Sequence, residues 1–244
     1  MLAKSKFKYI QSLGHKKFRD EEQVFVAEGP KIINEFLQEN VDIKELFATR
    51  EWIDENKHFI NKVSLTEITQ QELERISFLT TPNKVFAIVN KKEEGIKIDL
   101  KNKITLMLDT IQDPGNMGTI IRTADWFGIS QIICSQDCAD IYNPKVVQAS
   151  MGSVARVNVS YTSLKEFLEQ SKDIRIYAAT LEGKPVDQSR IPEGIIIIGN
   201  ESKGIHPEIL ALANVKINVR RKGKAESLNA AVATGIILSH VTSS

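Results

Sequence analysis

LDTIQDPGNMGTIIRTA, residues 108–124, carries the chain from the end of an apolar run, through a polar turn, into a helix. Pro114 and Gly115 set the turn. Asn116 is suited to cap the helix, and Ile120, Ile121, Ala124 and Phe127 recur at helical spacing as a buried stripe that Gly128 ends. Arg122 falls off that stripe, free to point over the turn. Two later stretches repeat the arrangement: IIIIGNESKG (195–204) and GKAESLNAAVA (223–233). Small polar and glycine-bearing turns expose backbone donors without steric cover, as a site for a nucleotide-like ligand requires. Taken singly, each is a capped helix or a glycine-led turn. Three in one chain point to a shared site.

Outward from 108–124, apolar runs and helical patterns alternate. Strands are expected at ITLMLD (104–109), QIICS (131–135), IRIYAAT (174–180), GIIIIG (194–199) and VKINV (215–219). Helices are expected at 117–127, about 144–151, 164–171 behind Ser163 and Glu166, 206–213 and 227–240. Near-continuous apolar strands separated by helices predict an α/β fold with a parallel sheet covered on both faces. The three polar turns follow the strands at 104–109, 194–199 and 215–219, on the carboxyl side where open parallel sheets bind ligands. The helix 227–240 is apolar and alanine-rich, and is expected to be buried all round.

The charged stretch KKEEGIKIDLKNK (91–103) separates a smaller region, so that 1–95 and 104–244 are expected as domains joined by a linker at 96–103. In the first, FVAEG (25–29), IKELFAT (43–49) and VFAIVN (85–90) read as strands and KIINEFLQE (31–39) as an amphipathic helix. Ser64 with Glu67 has the capping-box spacing ahead of a helix to about Ser77.

With 244 residues, 42% hydrophobic and 26% charged, the chain has an ordinary globular composition. The N-terminus has no apolar stretch behind its lysines, and no apolar run is long enough for a bilayer. Cys134 and Cys138 are too few for a disulfide framework or a four-ligand zinc site, so a reducing cytoplasm is the expected setting and no metal is expected. The net charge of +1 is unevenly spread: Lys4, Lys6, Lys8, Lys16, Lys17 and Arg19 crowd the first twenty residues. Lys216, Arg220, Arg221, Lys222 and Lys224 lie just ahead of the third motif. Such patches, when not merely a solvated face, suit a polyanion. G-x-G-x-x-G and G-x-x-x-x-G-K-[ST] are both missing, which argues against a dinucleotide fingerprint and a P-loop.

The ordered set N-x-G-x-x-x-R (Asn116, Gly118, Arg122), G-N-E-x-x-G (Gly199, Asn200, Glu201, Gly204) and S-L-N (Ser227, Leu228, Asn229) resembles the SpoU (TrmH-like) RNA ribose 2′-O-methyltransferases of the SPOUT superfamily, over about 104–240. Residues 1–95, with FVAEGPKIINE (25–35), resemble the ribosomal-protein-like α/β/α substrate-binding domain often fused ahead of it. The resemblance implies a deep trefoil knot, a homodimer, S-adenosylmethionine as cofactor and structured RNA as substrate, with ribosomal RNA favoured and transfer RNA the alternative. It implies a cofactor site at Thr180, Leu181, Gly199, Glu201, Ile217, Ser227 and Leu228, with Gly199 letting the cofactor approach the backbone. It makes Arg122 the catalytic arginine, with Asn116, Glu201, Ser227 and Asn229 holding ribose, arginine and cofactor. Lys16, Lys17, Arg19, Arg122, Arg220 and Arg221 would meet RNA. A guanidinium is not deprotonated in proteins, so Arg122 would bind phosphate and stabilise a developing alkoxide. His15, His58, His206 and His240 have no spacing that recommends a general base. The segment NVRRKGKAE (218–226) is more basic than is common in the family. Two other classes stay open: a non-catalytic RNA-binding protein on the same fold, and a dinucleotide-dependent oxidoreductase.

Overall fold

The computed structural model describes residues 2–60, 63–92 and 98–242, and divides into two compact units. The first takes Met1–Glu93 and Asp140–Ala155; the second takes Glu94–Ala139 and Arg156–Ser244. The expected division at one linker is therefore interrupted, because 140–155 packs with the first unit and places Val147 in its core. Part of the expected linker, 96–97, lies outside the described residues.

In chain order the first region runs α1 (Lys4–Ser12), α2 (Lys16–Glu22), β1 (Val24–Glu28), α3 (Pro30–Gln38), β2 (Ile43–Ala48), α4 (Arg50–Asn56), β3 (Leu65–Glu67), α5 (Gln70–Ile76) and β4 (Val85–Asn90). Its sheet has the order β1-β4-β2-β3, antiparallel except for the parallel β2–β3 pair. Alternate residues of β1 and β4 face opposite cores. Phe25, Ala27, Val85, Ala87 and Val89 pack with α3 and α4, whereas Val24, Val26, Phe86 and Ile88 pack with α1 and α5. This makes three layers, helix on sheet on helix. The capping box falls at Thr69 and Glu72 rather than at Ser64 and Glu67. Leu65–Glu67 instead pairs with Leu46–Ala48 as β3, since the open side of β2 takes up its backbone groups.

The chain continues through β5 (Ile104–Asp109), α6 (Pro114–Trp126), β6 (Gln131–Cys134), α7 (Pro144–Ser150), β7 (Asn158–Tyr161), α8 (Leu164–Gln170), β8 (Ile176–Pro185), β9 (Gly194–Gly199), α9 (Pro207–Leu210), β10 (Val215–Asn218) and α10 (Ala230–Val241). The second unit's sheet is β10-β8-β9-β5-β6-β7, parallel at every pairing. Each of its central strands β5 and β9 has five buried residues, as expected of strands covered on both faces. β7 is an addition to the expected strands; its residues are only half-buried, so it lacks a long apolar run. α10 packs against α6, β9 and the 3₁₀ turn Val186–Gln188. It is not buried all round, because Val232 is 51% exposed. No helix among the described residues is long and apolar enough to cross a membrane.

Candidate active site

The three polar turns converge at the carboxyl ends of β5, β9 and β10. Asp113, not Asn116, caps α6, its side chain accepting from the Asn116 backbone N–H at 2.7 Å. That frees the Asn116 amide: its Nδ2 donates to Glu201 Oε1, and its Oδ1 accepts from Asn229 Nδ2 at 2.8 Å. Asn229 in turn caps α10, its Oδ1 accepting from Ala231 and Val232 N–H. One chain of side-chain hydrogen bonds thus ties the first turn of α6, the loop after β9 and the start of α10.

Beside it lies a cleft of about 730 Å³, within the size range of small-molecule sites. Thr180, Leu181, Gly199, Glu201, Ser227 and Leu228 line it, as do Arg220 and Arg221. Thr180 and Leu181 reach it because the β8–β10 ladder breaks: Ala178 pairs with Lys216 and Lys184 with the next residue, Ile217, so 179–183 bows out of register. Leu181 is left 70% exposed and Leu228 44%, two apolar faces on a polar mouth.

The Ile217 side chain is fully buried, since the side-chain alternation of β10 turns it inward, which leaves its backbone groups as what it can offer a cofactor. Gly199 lines the cleft, but its missing Cβ is required by the protein itself. A side chain there would collide with the Gly204 carbonyl, brought close by the Asn200–Gly204 bridge. Arg122 is exposed on α6 and absent from the lining of its own chain's cleft. It shares the solvent-facing stripe of α6 with Trp126, four residues on and 85% exposed. Arg19 is a correction: it is 1% exposed, its guanidinium donating to the Leu13 and Gly14 carbonyls and pairing with Asp140 at 2.6 Å. It braces the first unit instead of meeting a polyanion. Lys16 and Lys17 on the same helix are exposed. Arg220 is exposed and pairs with Asp187 at 3.2 Å.

The family model for the SpoU rRNA methylases matches residues 103–239, and one for an MRM3-like substrate-binding domain matches 4–87. The chain belongs to the SpoU rRNA methylase family. The 23S rRNA (guanosine(2553)-2′-O)-methyltransferase RlmP of Bacillus subtilis is 28% identical over 243 residues, covering 97% of this chain and 95% of its own. A TrmH-family RNA methyltransferase structure from Porphyromonas gingivalis superposes with a TM-score of 0.88 at 33% identity, over 98% of both chains. An AdoMet-bound rRNA methyltransferase from Sinorhizobium meliloti does so with 0.85 at 29%, over 98% of this chain and 95% of that one. This SpoU-family protein is a methyltransferase, and the two alternative classes fall away.

Groups unforeseen from the motifs stand behind the site. Thr110, at φ +59°, holds a left-handed conformation that β-branched residues rarely adopt. Its N–H donates to Ser135 Oγ at 2.9 Å. His206 pairs with the buried Asp109 through Nδ1 at 2.8 Å; that hydrogen bond, then the carboxylate's charge, holds the imidazole pKa above its usual 6.5. Cys138 is pulled down to about 7, first by its hydrogen bond with Cys134, while burial pushes the Cys134 thiol up.

Proposed function

We propose that this protein methylates a ribose 2′-hydroxyl of ribosomal RNA, using S-adenosylmethionine, as a cytoplasmic homodimer. The observation that carries the reading is the junction of Asn116, Glu201 and Asn229 at the rim of a cleft with apolar walls. The cleft fits the cofactor: Leu181 and Leu228 offer apolar faces, Thr180 and Ser227 offer hydroxyls, and the loop 199–204 offers backbone groups. Bound there, S-adenosylmethionine would supply an electrophilic sulfonium methyl. Asn116, Glu201 and Asn229 hold the α6 and α10 entrances in fixed relation, and alignment of this kind is worth effective molarities of about 10⁵ M or more. Arg122 binds a phosphate next to the target ribose and stabilises charge developing on the 2′-oxygen. Arg220, Arg221, Lys16 and Lys17 add sequence-independent attraction to the RNA backbone.

Two features support the homodimer. Arg122 is exposed and absent from the lining of its own cleft, beside a nearly bare Trp126, and α10 leaves Val232 uncovered. An isologous contact over α6 and α10 would bury both and deliver Arg122 to the partner's site. We place the C-terminal chain in the family's trefoil knot; the packing of α10 against α6, β9 and the turn 186–188 supports that path. Ribosomal over transfer RNA is favoured because similarity to the 23S enzyme spans both units.

Mapping 2′-O-methylation across total RNA, with and without this gene, tests the proposal. Loss of a methylated ribose in ribosomal RNA is expected. An unchanged map, or loss confined to transfer RNA, would refute the assignment.

A further inference from the structure

Taking the site as a methyl-transfer centre, we propose that Asp109, Thr110 and His206 are positioning residues: they clamp both ends of the loop 200–204 so that Glu201 meets Asn116 in one place. None of the three lines the cleft, and the family motifs of this chain do not include them.

β5 and β9 end side by side, Asp109 opposite Gly199. Beyond Gly199 the chain makes a narrow loop closed by reciprocal backbone bonds between Asn200 and Gly204 at 3.0 and 2.9 Å. Ser202, Lys203 and Gly204 are exposed, and apolar burial resumes only at Ile205, just past the loop. Segments of that kind open readily unless tethered.

Polar tethers sit at both ends. At the near end, Asn200 Nδ2 donates to the Thr110 carbonyl at 2.9 Å, while Asn200 Oδ1 gathers the N–H groups of Ser202 and Lys203. The Thr110 carbonyl points there because Thr110 is left-handed, a strained state kept in place by its partners. Ser135 Oγ accepts its N–H, and its own hydroxyl lies 3.1 Å from both Asp109 Oδ1 and Asp137 Oδ2. At the far end, Asp109 Oδ2 accepts the His206 backbone N–H at 2.7 Å, and Oδ1 faces His206 Nδ1 at 2.8 Å. Asp109 is 2% exposed, and a carboxylate so buried needs each of these donors.

The load on this clamp is the catalytic junction. A loop displaced at either end moves Glu201, which moves Asn116, which releases Asn229 at the start of α10. A shift of about 1 Å at such a junction can cost on the order of 10²-fold in rate.

The experiment measures steady-state transfer from labelled S-adenosylmethionine to ribosomal RNA purified from a strain lacking the gene. Wild type, His206→Ala, His206→Asn and Asp109→Asn are compared below their melting temperatures, with cofactor binding followed by calorimetry. In His206→Asn the introduced amide would set a nitrogen near the place of the imidazole Nδ1. The expected result is a 10- to 100-fold fall in kcat for His206→Ala, with cofactor affinity weakened as well, since residues 199–204 line the cleft. His206→Asn recovers kcat and cofactor affinity to within about threefold, and Asp109→Asn, which also serves if His206→Ala fails to fold, shows the same loss as His206→Ala. Turnover by His206→Ala within twofold of wild type would overturn the clamp, as would His206→Asn no better than His206→Ala. No transfer by the wild type would instead overturn the reading of the site itself.

Discussion

Glu28 and Asp109 are both buried carboxylates at the last residue of a strand, and each reaches a segment far away in sequence. Glu28 ends β1 and accepts from Ser77 Oγ and the Phe78 N–H, closing the first unit around the end of α5. Asp109 ends β5 and holds His206 and Thr110, bracing the loop that carries Glu201. Among the described residues the donors to Glu28 are the neutral Ser77 hydroxyl and Phe78 N–H, and burial raises its pKa above 4.5. Asp109 meets an imidazole. The same device seals a scaffold in one unit and sets a working loop in the other.

The sharpest test of the contrast is Arg122→Ala, beyond the braced loop. Methyl transfer should fall at least about 10²-fold, the loss typical of removing one charge-stabilising donor, with cofactor affinity nearly unchanged. Unchanged turnover in the labelled-methyl assay would remove Arg122 from the chemistry. Next comes Glu28→Ala, which strands the Ser77 and Phe78 donors and should cost about 1–3 kcal/mol in urea melts. Its kcat at temperatures where it is folded should equal wild type; a matching loss of kcat would erase the difference between the two carboxylates.

Acid titration separates them further. Glu28 binds its proton more tightly folded than unfolded, so the native state gains from protonation. Stability from this group is fully present below 4.5 and is lost as pH rises through the higher folded value. Glu28→Gln should flatten that dependence. For His206 the charged form is favoured in the fold, so its contribution is present below 6.5 and disappears as pH rises through its raised value. Melting temperatures across both windows check the two signs. The smallest effect belongs to Lys17, exposed and 3.8 Å from Glu21. Lys17→Ala should change stability by less than about 0.5 kcal/mol. It should weaken RNA binding evenly and lower the salt slope by about one.

The parallel sheet was legible because β5 and β9 are near-continuous apolar runs whose ends the structure matches residue for residue. The site residues were legible through their order: Asn116, Glu201 and Asn229 do meet. What escaped was decided by neighbours remote in sequence. Arg19 has the look of a surface charge until Asp140, 121 residues away, draws it inside. Ser64–Glu67 fits a helix cap locally but lies against a strand needing a partner. Thr110 carries no local sign of a left-handed backbone; Ser135, Asp137 and Asn200 impose it. His206 has no motif spacing, and only the end of β5 gives it a role.

Calorimetric titration with S-adenosylmethionine tests the central claim most directly, on the wild type and on Gly199→Val. Saturable binding of one molecule per chain is predicted for the wild type, and none for the variant, whose side chain would force Gly204 away from the cleft. No binding by the wild type, or equal binding by both proteins, would contradict the account.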